Sequence, residues 1–277
     1  MHPNPTALVT GASRGIGKAT AIALARQGFD LIISARTVTK KERYHDIPLS
    51  GSLEETGEEI VALGRKVLTV PMDLVKAGDV EACWEKVMSV WGRVDVLVNN
   101  AIYQGAGLLK RVTDLHPDEL LEVFQGNVFA PVRMTQLALE HMRSGKGGRI
   151  INMVSASAMV APTRPVDDGG WSFQYAASKA ALQQLALVLR VELSSDSIQI
   201  FNVEPGFIFT EMMKEKGMDE AFAKQWGGAP VTVPAAVIAW LATADAAREF
   251  NGKTVHAQKF ALQRELHEDW HEKTSGS

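Results

Sequence analysis

Seven apolar segments alternate with amphipathic ones along the chain, and this alternation constrains the fold more than any other feature of the sequence. Several apolar segments are hydrophobic at consecutive positions, as expected when both faces of a parallel sheet are covered. The pattern therefore predicts an α/β fold with a doubly wound, seven-stranded parallel sheet flanked by helices. The predicted strands lie at 7–10, 30–34, 66–70, 94–98, 149–154, 198–203 and 253–257. The predicted helices lie at 15–27, 53–63, 78–91, 117–142, 173–195 and 234–243.

Length and charge narrow the possible partners. With 277 residues the chain is long enough for one large domain or two ordinary ones. No linker or internal repeat divides it, so a single domain over 1–277 is predicted, with a polar tail from about residue 260. The net charge is −3, and the lysines and arginines are scattered. A nucleic acid or an anionic membrane is therefore not expected as a partner.

The single cysteine, Cys83, lies among apolar residues at helical spacing and is interpreted as a core residue of a protein in a reducing compartment. The N-terminal segment does not resemble a secretory signal, and no apolar stretch reaches 18 residues. A cytoplasmic location is expected. The segment HEDWH at 267–271 matches a zinc-protease pattern, but it lies in the polar tail with little chain after it, so no metal site is predicted.

The first predicted strand runs directly into the segment TGASRGIG, residues 10–17, which opens a helix. Gly11, Gly15 and Gly17 would allow a tight turn, a close approach to a pyrophosphate and close packing of helix on strand. The helix N-terminus would offer N–H groups to the anion. This arrangement predicts a dinucleotide-binding turn. The alternative is a turn that needs glycine for packing only.

The end of the second predicted strand bears on cofactor choice. An acidic residue there would bind both ribose hydroxyls of NAD, whereas a basic residue suits a 2′-phosphate. This chain has Ala35 where the acid is expected, followed by Arg36, and Arg14 in the glycine turn is a second candidate. NADP(H) is therefore predicted, with an NAD-dependent enzyme as the alternative.

Together these segments resemble the short-chain dehydrogenase/reductase family in its compact single-domain branch. The resemblance covers about residues 5–257 and implies a Rossmann fold. It also implies an NADP(H)-dependent oxidoreductase that interconverts a secondary alcohol and a ketone, or an aldehyde, on a small soluble substrate. The motifs that carry the resemblance are TGASRGIG at 10–17, NNA at 99–101, a serine in NMVSASA, YAASK at 175–179 and EPGFIFT at 204–210.

The resemblance implies a role for each catalytic residue. Tyr175 would be the general acid or base, and Lys179, one helical turn along, would favour the tyrosinate and hold the nicotinamide ribose. Ser155 would hydrogen-bond the substrate oxygen, with Ser157 as the second candidate. Asn127 would hold a water in a proton relay toward the lysine.

The resemblance also implies a set of cofactor contacts. Asp73 would lie beside the adenine, Pro205 and Gly206 would shape a turn near the nicotinamide, and Asn99 would hold neighbouring strands together. The implied cofactor-binding residues are Gly11, Ser13, Arg14, Gly15, Ile16, Gly17, Arg36, Asp73, Leu74, Asn100, Ala101, Tyr175, Lys179, Pro205, Gly206, Ile208 and Thr210.

Two departures from the family pattern affect the substrate side. Ile102 stands where the family commonly has a glycine, which predicts a local change in the pocket wall. Tyr175 follows Ser155 by 20 positions, from 175 − 155, which is longer than usual, and the loop 156–172 is expected to line the entrance. The segment 207–226, rich in aromatic residues and methionine, resembles a substrate lid.

Two other classes of function fit the sequence less well. A cofactor-sensing protein without turnover would not need all four catalytic residues. A sugar-nucleotide epimerase or dehydratase is disfavoured because no second domain remains to bind such a substrate. The resemblance also implies a homo-oligomer, a dimer or homotetramer, in which the helices at 117–142 and 173–195 pack between subunits.

Overall fold

A computed structural model describes residues 4–40, 43–44, 47–48, 50–145, 147–194, 197–210 and 227–270. Its centre is a seven-stranded sheet in the order β3-β2-β1-β4-β5-β6-β7, in which every neighbouring pair is parallel. The predicted α/β class and doubly wound sheet are confirmed. The strands are β1 (Thr6–Thr10), β2 (Asp30–Ala35), β3 (Val67–Pro71), β4 (Val96–Asn99), β5 (Gly148–Met153), β6 (Ile198–Glu204) and β7 (Thr254–His256).

Helices connect the strands and cover the sheet. They are α1 (Gly15–Arg26), α2 (Leu53–Ala62), α3 (Asp79–Val90), α4 (Pro117–Phe124), α5 (Ala130–Ser144), α6 (Phe173–Glu192), α7 (Thr232–Thr243) and α8 (Ala257–Gln263). The predicted helix at 117–142 is interrupted by a π-helical segment, Gln125–Phe129, between α4 and α5. Such segments often lie at functional sites. A Cβ at Gly126 would lie 2.7 Å from the Cβ of Tyr103, so the segment packs closely on the chain that follows β4.

The core lies on both faces of the sheet, which explains why the strands are continuously apolar. Ala7 and Val9 of β1 point into one buried cluster, and Leu8 between them points into another. All three side chains are fully buried. Cys83 belongs to the second cluster, and burial raises the pKa of its thiol to about 11. Its interpretation as a core residue agrees with the structure.

The chain after β7 packs on the core for longer than predicted. Phe260 and Ala261 of α8 are buried in the first cluster, and Leu266 and Trp270 pack against it. The indole N–H of Trp270 donates to the carbonyl of Gln258 at 3.0 Å. The prediction of a polar tail from about residue 260 was therefore wrong, because apolar side chains scattered along this segment pack it against the core. The stretch 271–277 lies outside the described residues.

The sheet order fixes where a ligand can bind. The chain leaves β1 toward β2 and β3 on one side, then crosses back to place β4 on the other side of β1. This reversal opens a crevice at the carboxyl ends of β1 and β4. The segments TGASRGIG and NNA both begin there. Within the residues that the structure describes, no helix could span a membrane.

Candidate active site

The glycine turn after β1 is packed against the end of β4. Gly11 has a φ of 69°, which favours glycine, and its N–H donates to the carbonyl of Ser34 at 2.7 Å. The Thr10 hydroxyl accepts the N–H groups of Asn100 and Ala101, each at 3.0 Å. The side-chain amide of Asn100 donates to the carbonyl of Thr10 at 2.8 Å. The predicted residues Asn100 and Ala101 therefore fix the start of the turn through their hydrogen bonds to Thr10.

The glycines serve different physical purposes. A Cβ at Gly17 would lie 2.1 Å from the carbonyl oxygen of Gly11 and 2.4 Å from Nδ2 of Asn100, so the helix can approach the strand only without a side chain. At Gly15 no atom lies within 4 Å of such a Cβ, but the φ of 56° is left-handed. The N-cap residue Arg14 does not cap α1 with its own side chain. This geometry suits an anion at the helix N-terminus.

Two arginines flank the glycine turn on the side of β2. Arg14 Nη2 donates to the hydroxyl of Thr37 at 2.8 Å and to the carbonyl of Gly51 at 3.3 Å. Arg36 follows the buried Ala35 at the end of β2 and is exposed. Sequence reasoning missed Thr37, which is buried and orients Arg14. Its position directly after Arg36 was the available signal.

Tyr175 and Lys179 lie one turn apart at the start of α6. Ser172 caps this helix, its hydroxyl accepting the N–H of Tyr175 at 3.3 Å. Lys179 is 4% exposed, and its Nζ donates to the carbonyl of Met153 at 2.7 Å, at the end of β5. Ser155, two residues after that strand, lies close enough to the Tyr175 hydroxyl to lower its pKa by hydrogen bonding. The structure therefore brings the three predicted residues together.

Burial controls the protonation of this group. It raises the pKa of the Tyr175 hydroxyl; the hydrogen bond with Ser155 opposes this rise, and the negative charge of Glu204 adds to it. Burial also lowers the pKa of the Lys179 ammonium to about 8. The sequence prediction had the lysine lowering the pKa of Tyr175. In the structure, removal of the phenol from water dominates the pKa of Tyr175, and the effect of Lys179 on the tyrosinate stays a prediction.

Ser155, rather than Ser157, faces the tyrosine. The Ser157 hydroxyl donates to the Ser155 hydroxyl at 3.0 Å, and its backbone N–H lies 3.2 Å from the same oxygen. Ser157 is 6% exposed. Ser157 therefore orients the hydroxyl of Ser155 through two hydrogen bonds. This arrangement agrees with the preference for Ser155 over Ser157 as the catalytic serine.

Asn127 lies in the π-helical segment and is 1% exposed. Its Oδ1 accepts the backbone N–H of Tyr103 at 2.9 Å, and its Nδ2 donates to the hydroxyl of Ser178 at 3.1 Å. That hydroxyl in turn donates to the carbonyl of Tyr175 at 2.8 Å. Asn127 thus connects the chain after Ile102 to the helix that carries the tyrosine and the lysine. Its place in a proton relay stays a prediction.

The start of α6 also binds the chain segment 107–110, which follows β4. The Ser172 hydroxyl donates to the carbonyl of Leu108 at 2.6 Å. The Gln174 amide donates to the carbonyl of Lys110 at 3.2 Å and also to that of Gly107. Both side chains are buried. Sequence reasoning missed these contacts of Ser172 and Gln174, since a serine and a glutamine at the start of a helix give no signal of the distant carbonyls that they bind.

The long loop 156–172 surrounds a cavity of about 190 Å³, which its own residues line, among them Val160, Arg164 and Trp171. The loop is tied to the chain after β4 by an ion pair between Arg111 and Asp167. Both side chains of the pair are more than half exposed. That the loop lines the entrance to the site stays a prediction.

The remaining predicted residues lie at strand ends. Asn99 Nδ2 donates to Oδ1 of Asn152 at 2.9 Å, which links β4 to β5 as predicted. Asp73 and Leu74 follow β3, where Asp73 Oδ1 accepts the N–H of Val75 at 3.2 Å. Ser13 is buried and Ile16 packs against the first core cluster.

Comparison with known proteins decides the family. The family model described as short chain dehydrogenase matches residues 5–221. The chain belongs to the short-chain dehydrogenase/reductase family. It is 31% identical over 261 residues to a 3-oxoacyl-(acyl-carrier-protein) reductase of Staphylococcus epidermidis, an alignment that covers 91% of this chain and 97% of that protein.

Solved structures agree with this assignment. An acetoin dehydrogenase from Enterobacter cloacae superposes with a TM-score of 0.74 at 28% identity, over 91% of this chain and 93% of that one. An angucycline C-6 ketoreductase with bound NADP superposes with a TM-score of 0.73 at 30% identity, again over 91% and 93%. This short-chain dehydrogenase/reductase is therefore an oxidoreductase with the fold of a nicotinamide-binding family.

The segment after β6 carries the last of the predicted cofactor-binding residues of this short-chain dehydrogenase/reductase. Gly206 has a φ of 79°, and the amide of Gln258 donates to the carbonyl of Phe207 at 2.8 Å. Ile208 and Phe209 then pair in parallel with Ala229–Pro230. The predicted residues Pro205, Gly206, Ile208 and Thr210 therefore lie on one braced segment beyond the sheet. The predicted lid continues into 211–226, outside the described residues.

The segment 267–271, which matches the zinc-protease pattern but was not predicted to bind a metal, is not a helix in its described part. His267 Nε2 lies 2.8 Å from the hydroxyl of Thr232, and the N–H of Asp269 donates to His267 Nδ1 at 3.2 Å. This histidine is thus engaged by the N-terminal turn of α7. His271 lies outside the described residues.

Proposed function

We propose that this protein is an NADP(H)-dependent oxidoreductase that interconverts a secondary alcohol and a ketone, or an aldehyde, on a small soluble substrate. The observation that carries the proposal is the contact of Ser155 with Tyr175 beside the buried Lys179. A hydroxyl pair of this kind can bind one oxygen atom from two sides. The relatives named for reduction of 3-oxoacyl and angucycline ketones support the same class of reaction.

The residues fit a nicotinamide dinucleotide. The cradle at Gly11 and Gly17 would be closed by any Cβ, and the N-terminus of α1 faces the same turn. When bound, the nicotinamide would supply or accept the hydride. The residues proposed to hold the cofactor are Gly11, Ser13, Arg14, Gly15, Ile16, Gly17, Arg36, Asp73, Leu74, Asn100, Ala101, Tyr175, Lys179, Pro205, Gly206, Ile208 and Thr210.

The catalytic side chains have different roles toward the substrate oxygen. Tyr175 donates its hydroxyl proton to the carbonyl oxygen in reduction and takes a proton from the alcohol in oxidation. Ser155 donates a hydrogen bond to the same oxygen and stabilises its developing charge. Lys179, with its pKa lowered by burial to about 8, can exchange a proton near neutral pH. Asn127 fixes the helix start from which Tyr175 projects.

NADP(H) is proposed rather than NAD because of the charges near the end of β2. The side chain of Ala35 supplies no acceptor for a ribose hydroxyl. Arg36 directly precedes Thr37, and Arg14 donates to the hydroxyl of Thr37, so two cationic residues belong to the region suited to a 2′-phosphate. The bound NADP of the angucycline ketoreductase supports this preference.

A homo-oligomer is also proposed, as a dimer or tetramer. Large apolar side chains are exposed along the segment from α4 to the start of α5 and along α6: Leu121 (61%), Phe129 (51%), Phe173 (54%), Leu187 (38%), Val188 (49%) and Val191 (73%). Apolar residues exposed on two long helices are typical of interfaces between subunits. Sedimentation of the full chain tests this proposal, and a monomer at micromolar concentration would contradict it.

A ketone panel tests the proposed function. The protein is mixed with NADPH or NADH and a broad set of aliphatic, aromatic and 3-oxo ester ketones, and loss of nicotinamide absorbance is followed. Oxidation of NADPH with at least one ketone, faster than that of NADH, is expected. Tight NADPH binding without any turnover across the panel would instead favour a cofactor-sensing protein.

A further inference from the structure

The carbonyl of Phe207, shortly after the end of β6, accepts two hydrogen bonds from distant parts of the chain. The backbone N–H of Ala229 donates to it at 2.9 Å. The side-chain amide of Gln258 donates to it at 2.8 Å. Gln258 lies in the first turn of α8, 51 positions along the chain from Phe207. This carbonyl therefore joins the turn after β6 to the C-terminal segment, residues 256–270.

Gln258 also packs against the glycine of this turn. Gly206 has a φ of 79°, and a Cβ at that position would lie 2.6 Å from Cδ and from Nε2 of Gln258. The N–H of Gly206 donates to the carboxylate of Glu204 at 2.7 Å, at the end of β6. The turn is therefore held on one side by its own strand and on the other by the amide of Gln258.

Gln258 is itself held in place by its neighbours along the chain. Ala257 and Phe260 are buried in the first core cluster. The indole N–H of Trp270 donates to the backbone carbonyl of Gln258 at 3.0 Å, and Trp270 packs against the same cluster. The C-terminal segment is thus anchored on the core on both sides of Gln258, which gives its amide a fixed position toward the turn.

The turn starts beside the catalytic group. The N–H of Val154, which directly precedes Ser155, donates to the carbonyl of Val203 at 2.9 Å. The chain after β6 therefore leaves the sheet next to the segment that carries the catalytic serine. In contrast, β1, which leads into the glycine turn, is separated from β6 by β4 and β5. Three spacings of about 4.8 Å between strands place the starts of the two turns roughly 14 Å apart.

We propose that Gln258 is a positioning residue for the nicotinamide half of the cofactor, because it fixes the backbone of residues 205–207 from the C-terminal segment. The inference rests on the proposed function, in which this turn holds the nicotinamide. The pyrophosphate and the adenine half would bind at the glycine turn and the end of β2, out of reach of Gln258. Loss of its amide should therefore affect one half of the cofactor and spare the other.

Two ligands separate these halves. NADPH carries both, whereas adenosine 2′,5′-bisphosphate carries only the adenosine and its phosphates. Gln258→Leu keeps a side chain of similar size beside Gly206 but cannot donate to Phe207. We expect its dissociation constant for NADPH to rise about fivefold, and that for adenosine 2′,5′-bisphosphate to stay within about twofold of wild type. Isothermal titration calorimetry measures both constants, and circular dichroism confirms that each sample is folded.

A matched control and a second variant accompany this comparison. Gln263→Leu makes the same substitution at an exposed position, the last of α8, and should change neither dissociation constant. In Gln258→Glu the carboxylate cannot donate to Phe207 either, so NADPH binding should weaken at least as much as in Gln258→Leu. Hydrogen exchange of the backbone amides in residues 205–210 should be faster in both Gln258 variants and unchanged in Gln263→Leu.

Equal weakening of the two ligands in Gln258→Leu, or NADPH binding within twofold of wild type, would overturn the proposal. So would the same loss in Gln263→Leu, or failure of both Gln258 variants to fold, since the side chain would then serve the fold alone. If the wild type prefers NADH, NADH and AMP form the corresponding pair of ligands.

The outcomes also separate this inference from the proposed function. A wild type that binds NADPH but reduces no ketone would refute the proposed reaction, and the two dissociation constants would still decide the role of Gln258. Equal weakening of both ligands in a protein that does reduce ketones would refute only this inference. A wild type that binds no nicotinamide dinucleotide would refute both.

Discussion

The cofactor end of the sheet and the loop 156–172 are held in different ways. At the cofactor end, Thr10, Gly11 and Asn100 form short hydrogen bonds between distant strands, and the space is too small for a single Cβ. The loop is tied down by an ion pair between the exposed side chains of Arg111 and Asp167. A site common to a family is built from close backbone contacts, whereas the part that selects a substrate is free to vary in sequence and length.

The largest expected effect tests close packing at the cofactor end. Gly17→Ala would force a Cβ to within 2.1 Å of the Gly11 carbonyl, so we expect a loss of at least about 3 kcal/mol in unfolding free energy. The matched control, Gly15→Ala, meets no atom and should lose about 1 kcal/mol from its left-handed backbone. Urea unfolding and NADPH titration measure both variants. Equal losses of unfolding free energy in the two variants would contradict the claim that close packing at Gly17 matters more than backbone conformation at Gly15.

The next effect is the pH dependence that buried Lys179 imposes. Its pKa of about 8 in the folded protein lies below the ordinary value of 10.5, so between these pH values the unfolded chain binds a proton that the folded protein does not. Stability therefore rises with pH across this window. Lys179→Met should remove this rise and add on the order of 3 kcal/mol at pH 7. Urea unfolding from pH 7 to 10 measures it.

Lys86→Met, at an exposed position of α3, is the control for removal of a lysine. Cys83 is present in every variant, so its titration cancels in the difference. A wild type and a Lys179→Met protein with the same pH dependence of stability would show that the ammonium is not buried as described.

A smaller effect tests the choice of cofactor. Removal of the guanidinium in Arg36→Ala should lower the ratio of NADPH affinity to NADH affinity about tenfold, because one charge-assisted contact to a 2′-phosphate is lost. Arg26→Ala, at the far end of α1, serves as the control. Fluorescence titration with both cofactors measures the ratio. Equal weakening for the two cofactors would contradict a phosphate contact.

The smallest effect concerns the loop. Asp167→Asn breaks an ion pair between exposed side chains, so no resolvable change in the thermal midpoint is expected. Thr37→Val, at the cofactor end, removes the buried partner of Arg14 and should cost about 1 kcal/mol. Thermal melts of both variants compare the two regions directly. A larger loss of thermal stability in Asp167→Asn than in Thr37→Val would show that the loop, and not the cofactor end, depends more on its side-chain contacts.

The sequence predicted the features that follow from local pattern. All seven strands are present near their predicted positions, because continuous apolar runs are required wherever both faces of a sheet are covered. The glycine turn could also be predicted from its local pattern. So could the proximity of Tyr175 and Lys179, since a helix places residues four apart on one face.

Other features depend on tertiary contacts that no local pattern encodes. The π-helical segment around Asn127 follows from its packing against Tyr103, a residue 24 positions earlier. The rise in the pKa of Tyr175 comes mainly from burial of its own side chain, which depends on the distant segments packed around it. The contact of Glu204 with His256 depends on the pairing of β6 with β7, which brings together residues 52 positions apart.

The central claim is that the Tyr175 hydroxyl transfers the proton that accompanies the hydride. The most direct measurement compares Tyr175→Phe with wild type for both NADPH affinity and turnover of a ketone that the wild type accepts. We predict NADPH affinity within a few-fold of wild type, since one hydroxyl is removed from a site built by many contacts, and turnover reduced by at least about 100-fold. Turnover within a few-fold of wild type in a variant that binds NADPH normally would contradict the account.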